Sequence, residues 1–407
     1  MKKNRRDFLK ISGLTGFGLA GASIIPGCTS DPMNGGAPEK NWQLDPEWQE
    51  VKYGAWGGPG VDPRPGAMDT ILLKDSAPKS SVIVPETFVP KAKYPAIDAH
   101  IHHYPESAEG DTREVLAEWV KTMDEVGIET SVLMTVATGE EFDRLVELYL
   151  EPYPDRFQLY CGLEMEGINR PDYSERAVAE LVRCYEKGAR GVGEVTDKGL
   201  GLTKDPNLTR DERMHPDDPR MDAFWEKCAE LNLPVNIHVA DHPSAWEPLD
   251  IYQERTPDYQ HFNLHGHDIL SHGELLVRFD RTLEKHPNTT FIACHLRNQG
   301  HDLGTLSSKL DQYPNLYLDI SARDYEVGRT PRATAKFLAN YPDRILFGTD
   351  MGMKKSMYQA WWRLLETDDE YMVGRVWWPY YGLDLPEHIL EALYHGNARK
   401  LMNWEKV

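Results

Sequence analysis

Three residues near position 100 have the types and the spacing that a metal site requires. The stretch 94–103, YPAIDAHIHH, is a short apolar run that ends in the pattern Asp98-x-His100-x-His102. Alternate residues of a β-strand point to one face, so these three side chains share a face if the stretch is a strand. The two histidines would then lie roughly 6.6 Å apart at Cα, and both imidazoles can converge on one cation. The alternative is a strand end rich in histidine, with ordinary hydrogen bonds.

The rest of the chain predicts the elements that would hold such a strand. From residue 97 onward, apolar runs alternate with stretches of helical periodicity. Strands are predicted at Ile97–Ile101, Ser131–Val136, Phe157–Leu163, Gly191–Val195, Val235–Val239, Thr290–His295, Leu316–Ile320 and Ile345–Gly348, with helices between them. Eight such pairs favour a (β/α)8 TIM barrel over an open doubly wound sheet. We predict that this barrel and C-terminal helices span residues 94–403, and that the long insertion Asp241–Ser271 overhangs the catalytic face.

Polar residues end most of the predicted strands, which is where TIM barrels place their active sites. They are His100, His102, Glu164, Glu194, His238, His295 and Asp350. Each one alone has a structural explanation: a buried histidine with its hydrogen bonds satisfied, an ion-pair partner, or a helix N-cap. Together, imidazole and carboxylate ligands favour zinc, with manganese, iron and nickel as the alternatives.

At this point the sequence resembles the amidohydrolase superfamily, particularly the branch related to amidohydrolase family 2. The resemblance covers about residues 94–403 and rests on DAHIH at 98–102, His238, His295, GTD at 348–350 and HGNARKL at 395–401. It implies that the first metal shell consists of His100, His102, His238 and Asp350. It also implies that His295 is either a ligand of a second metal or, in members with one metal, a catalytic acid or base.

The number of metal ions depends on Glu194. Many two-metal relatives have a carboxylated lysine on strand four, and this chain has none there, but some relatives use a glutamate. One ion and two ions therefore both remain open. With one ion, Glu194 would orient water or substrate.

The predicted chemistry follows from charge. A divalent cation lowers the pKa of a bound water to about 7, which makes hydroxide available at neutral pH. Asp350 can then take a proton from this water and pass it to the leaving group, and His295 can polarise a carbonyl or protonate the departing atom. Arg297 and Arg323, just beyond strands six and seven, are candidate clamps for a substrate carboxylate, with surface ion pairs as the alternative. Glu164 is a further candidate for substrate binding.

Three functions are compatible with this set of residues. The first is a metal-dependent hydrolase that cleaves an amide, ester or lactone bond of a small molecule. The second is a non-oxidative decarboxylase or hydratase, because the implied family branch includes lyases built on one metal and the same histidines and aspartate. The third is an exported lipoprotein that binds a ligand without turnover, and the complete set of ligands with a positioned base argues against it.

The N-terminal region predicts export. Residues 1–27 resemble a twin-arginine signal peptide, with RRDFLK at 5–10 as its core. Cys28 follows in a sequence that resembles a lipoprotein cleavage box, and a conventional peptidase site is the alternative. Residues 28–45 are predicted to be a flexible tether, and residues 46–93 an irregular arm that packs on the barrel. We therefore expect the twin-arginine machinery as a partner, a location in the periplasm or cell envelope, and membrane attachment only through a lipid on Cys28.

Composition excludes some partners. The net charge of −20 argues against nucleic acid and against anionic membranes as partners of the folded body. Four further cysteines, Cys161, Cys184, Cys228 and Cys294, lie in apolar runs, and we predict that they are free and buried rather than paired in disulfides.

Overall fold

The computed structural model of the chain describes residues 66–67, 69–76, 79–102, 112–205, 207–250, 252–255, 259–374 and 376–402. The chain divides into two units, Met1–Ser76 and Ala77–Val407. The predicted signal peptide, the tether, Cys28 and residues 46–65 of the predicted arm lie outside the described residues. In the first unit, the described part contains the single 3-10 turn Leu73–Asp75. None of the described helices is long and apolar enough to cross a membrane.

The second unit contains a sheet of eight parallel strands in sequential order. The strands are β1 (Ala96–Ile101), β2 (Ile128–Met134), β3 (Phe157–Cys161), β4 (Ala189–Asp197), β5 (Val235–Val239), β6 (Phe291–Ala293), β7 (Leu316–Asp319) and β8 (Ile345–Leu346). Backbone bonds also join the first and last strands: Ala99 N–H donates to Phe347 O at 3.0 Å, and Asp350 N–H donates to His100 O at 2.8 Å. The sheet is a TIM barrel, and the predicted fold class is confirmed.

A helix follows every strand, as the periodicity predicts. The helices are α1 (Thr112–Val126), α2 (Gly139–Leu145, continued by a π-helical turn, Val146–Leu150), α3 (Tyr173–Lys187), α4 (Asp222–Glu230), α5 (His272–Lys285), α6 (Leu303–Gln312), α7 (Pro331–Asn340) and α8 (Lys355–Glu366). Two more, α9 (Glu387–Glu391) and α10 (Asn397–Leu401), flank the π-helical turn Ala392–Gly396 near the C-terminus. Single turns occur at Pro219–Met221, Pro243–Trp246, Cys294–Arg297 and Asp324–Val327.

Two apolar layers confine the polar chemistry to one end of the barrel. Inward-facing residues of the strands fill the interior: Ile97, Ala99, Val132, Met134, Tyr160, Ile292 and Leu346. Ala398 and Met402, from α10 and the residue after it, pack against this set. The outward faces of the strands pack against the helices in a second, larger core. Since the interior is filled by side chains, the barrel offers polar groups to a ligand at the carboxyl ends of its strands.

The end of the predicted arm contacts the barrel directly. Ala92 N–H donates to Val126 O at 3.0 Å, at the end of α1. Both the N–H and the hydroxyl of Thr87 donate to the carboxylate of Asp369 at 2.7 Å. Residues 87–92 are therefore anchored to the connections that follow α1 and α8.

Candidate metal centre

Two strand ends bring three donor side chains together, which we name the first donor group. Nε2 of His100 lies 3.3 Å from Nε2 of His102, and both histidines come from the end of β1. Oδ1 of Asp350, just beyond β8, lies 3.6 Å from each of these two nitrogens. The hydrogen bond from Asp350 N–H to His100 O fixes this arrangement, because it joins the backbones of both ligand-bearing segments.

Two more strand ends form the second donor group, which consists of His238 from β5 and His295 from beyond β6. Nδ1 of His238 lies 3.1 Å from Nε2 of His295. The two groups are neighbours, since Nε2 of His295 is also 3.7 Å from Oδ2 of Asp350. Both histidines are buried, with 5% and 2% of their surface exposed, so water does not separate their rings.

Glu194, from β4, lies between the two donor groups. Its Oε2 is 3.4 Å from Nε2 of His102 in the first group. Its Oε1 is 2.7 Å from Nδ1 of His238 and 3.5 Å from Nε2 of His295 in the second group. One carboxylate thus presents a separate oxygen to each group.

Hydrogen bonds to the remaining ring nitrogens set which nitrogen of each histidine faces the centre. Asp319 Oδ2 lies 2.9 Å from Nδ1 of His100, Ser321 O lies 2.9 Å from Nδ1 of His295, and Asp241 Oδ1 lies 3.3 Å from Nε2 of His238. When the ring nitrogens that face these oxygens carry the protons, the opposite nitrogens can offer their lone pairs to a metal. Those opposite nitrogens, Nε2 of His100 and His295 and Nδ1 of His238, are the ones that face the centre.

The spacing of the donors fits a divalent cation. Metal–nitrogen bonds of about 2.0–2.1 Å in tetrahedral geometry place neighbouring donor atoms about 3.3 Å apart. The contacts within each donor group, from 3.1 to 3.6 Å, lie close to that value. The donor atoms of His100, His295 and Asp350 lie close enough together to hold a metal ion, and so do those of Glu194, His238 and His295. The residues present therefore match the requirements of a divalent metal.

The electrostatics of the centre favour positive charge. Burial would raise the pKa of Glu194, but His238, His102 and His295 hold it well below its usual range. Burial would lower the pKa of His100, but the carboxylate of Asp319 outweighs it and raises the pKa to about 10. Neighbouring carboxylates thus keep a proton, and with it a positive charge, on His100. A divalent cation would have to displace the protons of its ligands, so its affinity for the centre rises with pH.

Asp98 lies beneath the first donor group and links its two strands. Its buried carboxylate accepts the Thr349 N–H at 3.0 Å, the Thr349 hydroxyl at 2.7 Å and the Tyr358 hydroxyl at 2.7 Å. Burial raises the pKa of Asp98 to about 6, although these hydrogen bonds oppose the shift. Because Thr349 precedes Asp350, this network positions a donor without contributing one.

A left-handed turn explains where Arg297 lies. Four consecutive residues, 295–298, have φ between 53° and 59°. Such a conformation costs roughly 1–2 kcal/mol per residue and is maintained where surrounding structure requires it. The turn keeps His295 in the centre, while the Arg297 guanidinium packs 5.7 Å from the Phe279 ring and pairs with Asp280 on α5. The structure therefore does not bring Arg297 to the donors. Its position does not support the predicted role as a substrate clamp.

Arg323 acts electrostatically on the second donor group. Burial and the charge of His238 lower the pKa of His295, and the nearby guanidinium of Arg323 contributes to the same shift. Its side chain donates to Asn298 Oδ1 and lies 3.6 Å from Glu326. Arg255, from the long insertion, pairs with the same Glu326 at 2.6 Å. The insertion predicted to overhang the site is thus tied to the loop that carries Arg323.

Glu164 lies three residues beyond the end of β3, in the loop that follows this strand. Its carboxylate accepts the Glu166 N–H at 2.6 Å. Among the described residues, no contact joins it to the donor histidines. A role in substrate binding stays a prediction for this residue.

The fold and the donors define a class: a TIM barrel whose strand ends bring together histidine and carboxylate side chains that could hold a divalent metal. The family model described as Amidohydrolase (Amidohydro_2) matches residues 97–404. The chain belongs to this amidohydrolase family, as the sequence analysis expected. No curated protein matches the chain at a significant level.

Several solved structures resemble the chain. A dihydroxybenzoic acid decarboxylase from Polaromonas sp. JS666, with bound manganese, is 20% identical with a TM-score of 0.47, over 76% of this chain and 97% of that one. A 5-carboxyvanillate decarboxylase from Novosphingobium aromaticivorans, also with manganese, is 14% identical with a TM-score of 0.47, over 79% and 100%. A putative amidohydrolase from Staphylococcus aureus is 16% identical with a TM-score of 0.48, over 76% and 99%. Two of these three proteins are decarboxylases. Hydrolysis by this chain stays a prediction.

Sequence reasoning missed the residues that orient the ligands, and Asp319 is the most consequential. It is fully buried and binds both His100 Nδ1 and the His295 N–H, at 2.9 and 2.8 Å. We expect Asp319→Asn to lower metal affinity about 10–100-fold, because an amide has no charge and only one oxygen to accept from both His100 Nδ1 and the His295 N–H. Competition with a chromogenic chelator measures the affinity. Asp217→Asn, the same change beside Arg278 and far from the donors, serves as the control. Equal metal affinities of Asp319→Asn and the unmodified protein would show that Asp319 does not support metal binding.

Proposed function

We propose that the protein is a metal-dependent hydrolase that uses two divalent cations to cleave an amide, ester or lactone bond of a small molecule. The position of Glu194 is the observation that most strongly supports two cations. Its Oε2 faces the first donor group and its Oε1 faces the second. A bridging carboxylate of this kind suits a pair of cations that act on both the attacking and the leaving oxygen.

The cations, when bound, supply Lewis acidity that lowers the pKa of an attacking water and polarises a scissile carbonyl. The protein residues do the rest. Asp350 Oδ1 faces both histidines of the first group, and about a quarter of its side chain is exposed, so it can take a proton from the water. Oδ2 of the same carboxylate faces His295, which provides a direction for returning the proton to the departing atom.

The substrate we propose carries a carboxylate. The charge of Arg323 acts on His295, although its buried guanidinium also contacts Asn298 and Glu326. A guanidinium binds a carboxylate through paired hydrogen bonds, which fixes orientation as well as charge.

A non-oxidative decarboxylase is the second candidate, and the position of Arg323 favours it as well. A carboxylate held beside the donors is also the group that a decarboxylase removes. In that reaction the carbon–carbon bond breaks, carbon dioxide leaves, and Asp350 or His295 gives a proton to the remaining carbon. This reaction needs one cation, and Glu194 would then position the substrate.

The metal we propose is zinc. Imidazole and carboxylate donors at these distances suit zinc, and they also accept manganese. The decarboxylases from Polaromonas and Novosphingobium contain manganese. Reconstitution of the same protein with either metal, followed by activity measurements, distinguishes the two.

Product analysis in oxygen-18 water tests the proposed reaction. The metal-loaded protein is incubated with a panel of esters, lactones and amides, and separately with hydroxylated aromatic carboxylates. Hydrolysis places one labelled oxygen in the product, whereas decarboxylation releases carbon dioxide and leaves the other product unlabelled. We expect labelled product and no carbon dioxide, and formation of the labelled product should cease after metal removal. Carbon dioxide release without label would establish the second candidate instead.

A further inference from the structure

A lysine lies at the carboxyl end of β4, on the same face of the barrel as the donors. Lys198 directly follows this strand and comes four residues after Glu194. Its side chain is 44% exposed, and its Nζ lies 3.3 Å from Oδ1 of Asp241. That oxygen also lies 3.3 Å from Nε2 of His238 in the second donor group. A single carboxylate oxygen therefore separates an accessible ammonium from a donor histidine.

Buried groups fix the backbone around Lys198. The Asp197 carboxylate accepts the N–H groups of Gly199 and Gly201 at 3.0 and 3.1 Å. Its other oxygen lies 2.7 Å from Nδ1 of His215, and neither Asp197 nor His215 is exposed by more than 2%. A buried polar network whose members are hydrogen-bonded makes its surroundings rigid. The lysine side chain therefore extends from a fixed position.

The ammonium of Lys198 is only partly neutralised. An ammonium has three N–H donors, and within the described ranges Asp241 supplies the one carboxylate at ion-pair distance from it. Because the same oxygen of Asp241 also faces His238, its negative charge is shared with the second donor group. Hydrogen-bond donors and positive charge therefore remain for an anion that enters from the solvent. The guanidinium of Arg323 is less accessible, since it is 7% exposed and contacts Asn298.

We propose that Lys198 binds the carboxylate of the substrate and thereby selects anionic substrates for the centre. The inference rests on the proposed function and names the residue that recognises the carboxylate. The substrate is then a small molecule whose carboxylate lies a few bonds from the ester, lactone or amide group that reacts. Hydrogen bonds between an ammonium and a carboxylate are about twice as strong as neutral ones, which disfavours an uncharged analogue. Asp241 is a positioning residue, since it holds the ammonium beside the second donor group.

Binding of benzoate and of benzamide to the full, zinc-loaded protein tests the proposal, because the two molecules have nearly the same shape and differ in charge. Titration calorimetry at one pH and one ionic strength gives both affinities. We expect benzoate to bind more tightly than benzamide. Lys198→Met should weaken benzoate binding about 10–100-fold, the usual effect of losing a hydrogen bond to a charged group, and leave benzamide binding unchanged. Lys198→Arg keeps the cation and should retain most of the preference for benzoate.

Lys285→Met is the matched control. Lys285 is 46% exposed and pairs with Asp222, but it ends α5 rather than following a strand, so its replacement should change neither affinity. Equal benzoate affinities of Lys198→Met and the unmodified protein, or no binding of benzoate to either, would overturn the role of Lys198.

Two further outcomes distinguish this role from the proposed function. Hydrolysis of uncharged and carboxylate-bearing esters at rates that Lys198→Met does not alter would keep the hydrolase and overturn the role of the lysine. Benzoate binding that depends on Lys198, together with carbon dioxide release in the oxygen-18 experiment, would keep the role of the lysine and overturn the hydrolase.

Discussion

Replacing Asp350 by asparagine should reduce kcat by about 10²–10⁴-fold, the usual contribution of a positioned general base. The amide keeps the size of the side chain and one ligating oxygen, but it cannot accept a proton at neutral pH. Oδ1 of Asp350 is 3.6 Å from both histidines of the first donor group, so in the proposed mechanism one carboxylate would both bind metal and move the proton. Steady-state rates and elemental analysis, on the same preparation, separate loss of the base from loss of the metal.

The control for this change is Asp302→Asn. Asp302 caps α6, where its side chain accepts the Thr305 N–H at 3.0 Å, and the same substitution there should leave kcat unchanged. Near-normal turnover of Asp350→Asn with its metal retained would place proton transfer on another residue. Glu194 would then be the first group to test.

Glu194→Gln should lower the bound metal from two ions to one and reduce kcat at least as much as the Asp350 change. Glutamine keeps the shape of the side chain, but its amide nitrogen cannot bind a cation, so one of the two donor groups loses its shared oxygen. The remaining neutral histidines of the second group, His238 and His295, hold a cation weakly without a carboxylate. Equilibrium dialysis with zinc gives the stoichiometry directly.

Glu164→Gln is the matched comparison, because it changes a carboxylate at the end of the neighbouring strand without touching the donors. It should retain two ions. If the wild-type protein already binds a single ion with full activity, Glu194 does not bridge. The second candidate, a decarboxylase with one cation, then becomes the better account.

The barrel was predictable because its signals are local and repeated. Each strand of the barrel is a run of β-branched and apolar residues, and each helix shows its own periodicity. The predicted Val235–Val239 strand matches the structure to the residue. The predictions of strand ends were less accurate. β8 was predicted to reach Gly348 but ends at Leu346, because the residues that follow form backbone hydrogen bonds to β1.

The histidines and Asp350 share a site because a parallel barrel brings its strand ends together, and their positions along the chain were enough to predict that. The orienting groups were not predictable in this way. Asp319 and Ser321 resemble ordinary polar residues after an apolar strand, and only the fold shows them behind His100 and His295. The sequence also does not show in which direction a side chain points in an irregular turn. Arg297 was therefore expected near the substrate, whereas in the structure it faces α5.

Anomalous diffraction from a zinc-loaded crystal, at the zinc edge, tests the central claim most directly. We predict two peaks about 3.5–4 Å apart, the spacing of a two-metal site. One should lie beside His100, His102 and Asp350 and the other beside His238 and His295, with the carboxylate of Glu194 between them. A single peak surrounded by His100, His102, His238 and Asp350, with Glu194 bound to no metal, would contradict the two-cation hydrolase proposed for this protein.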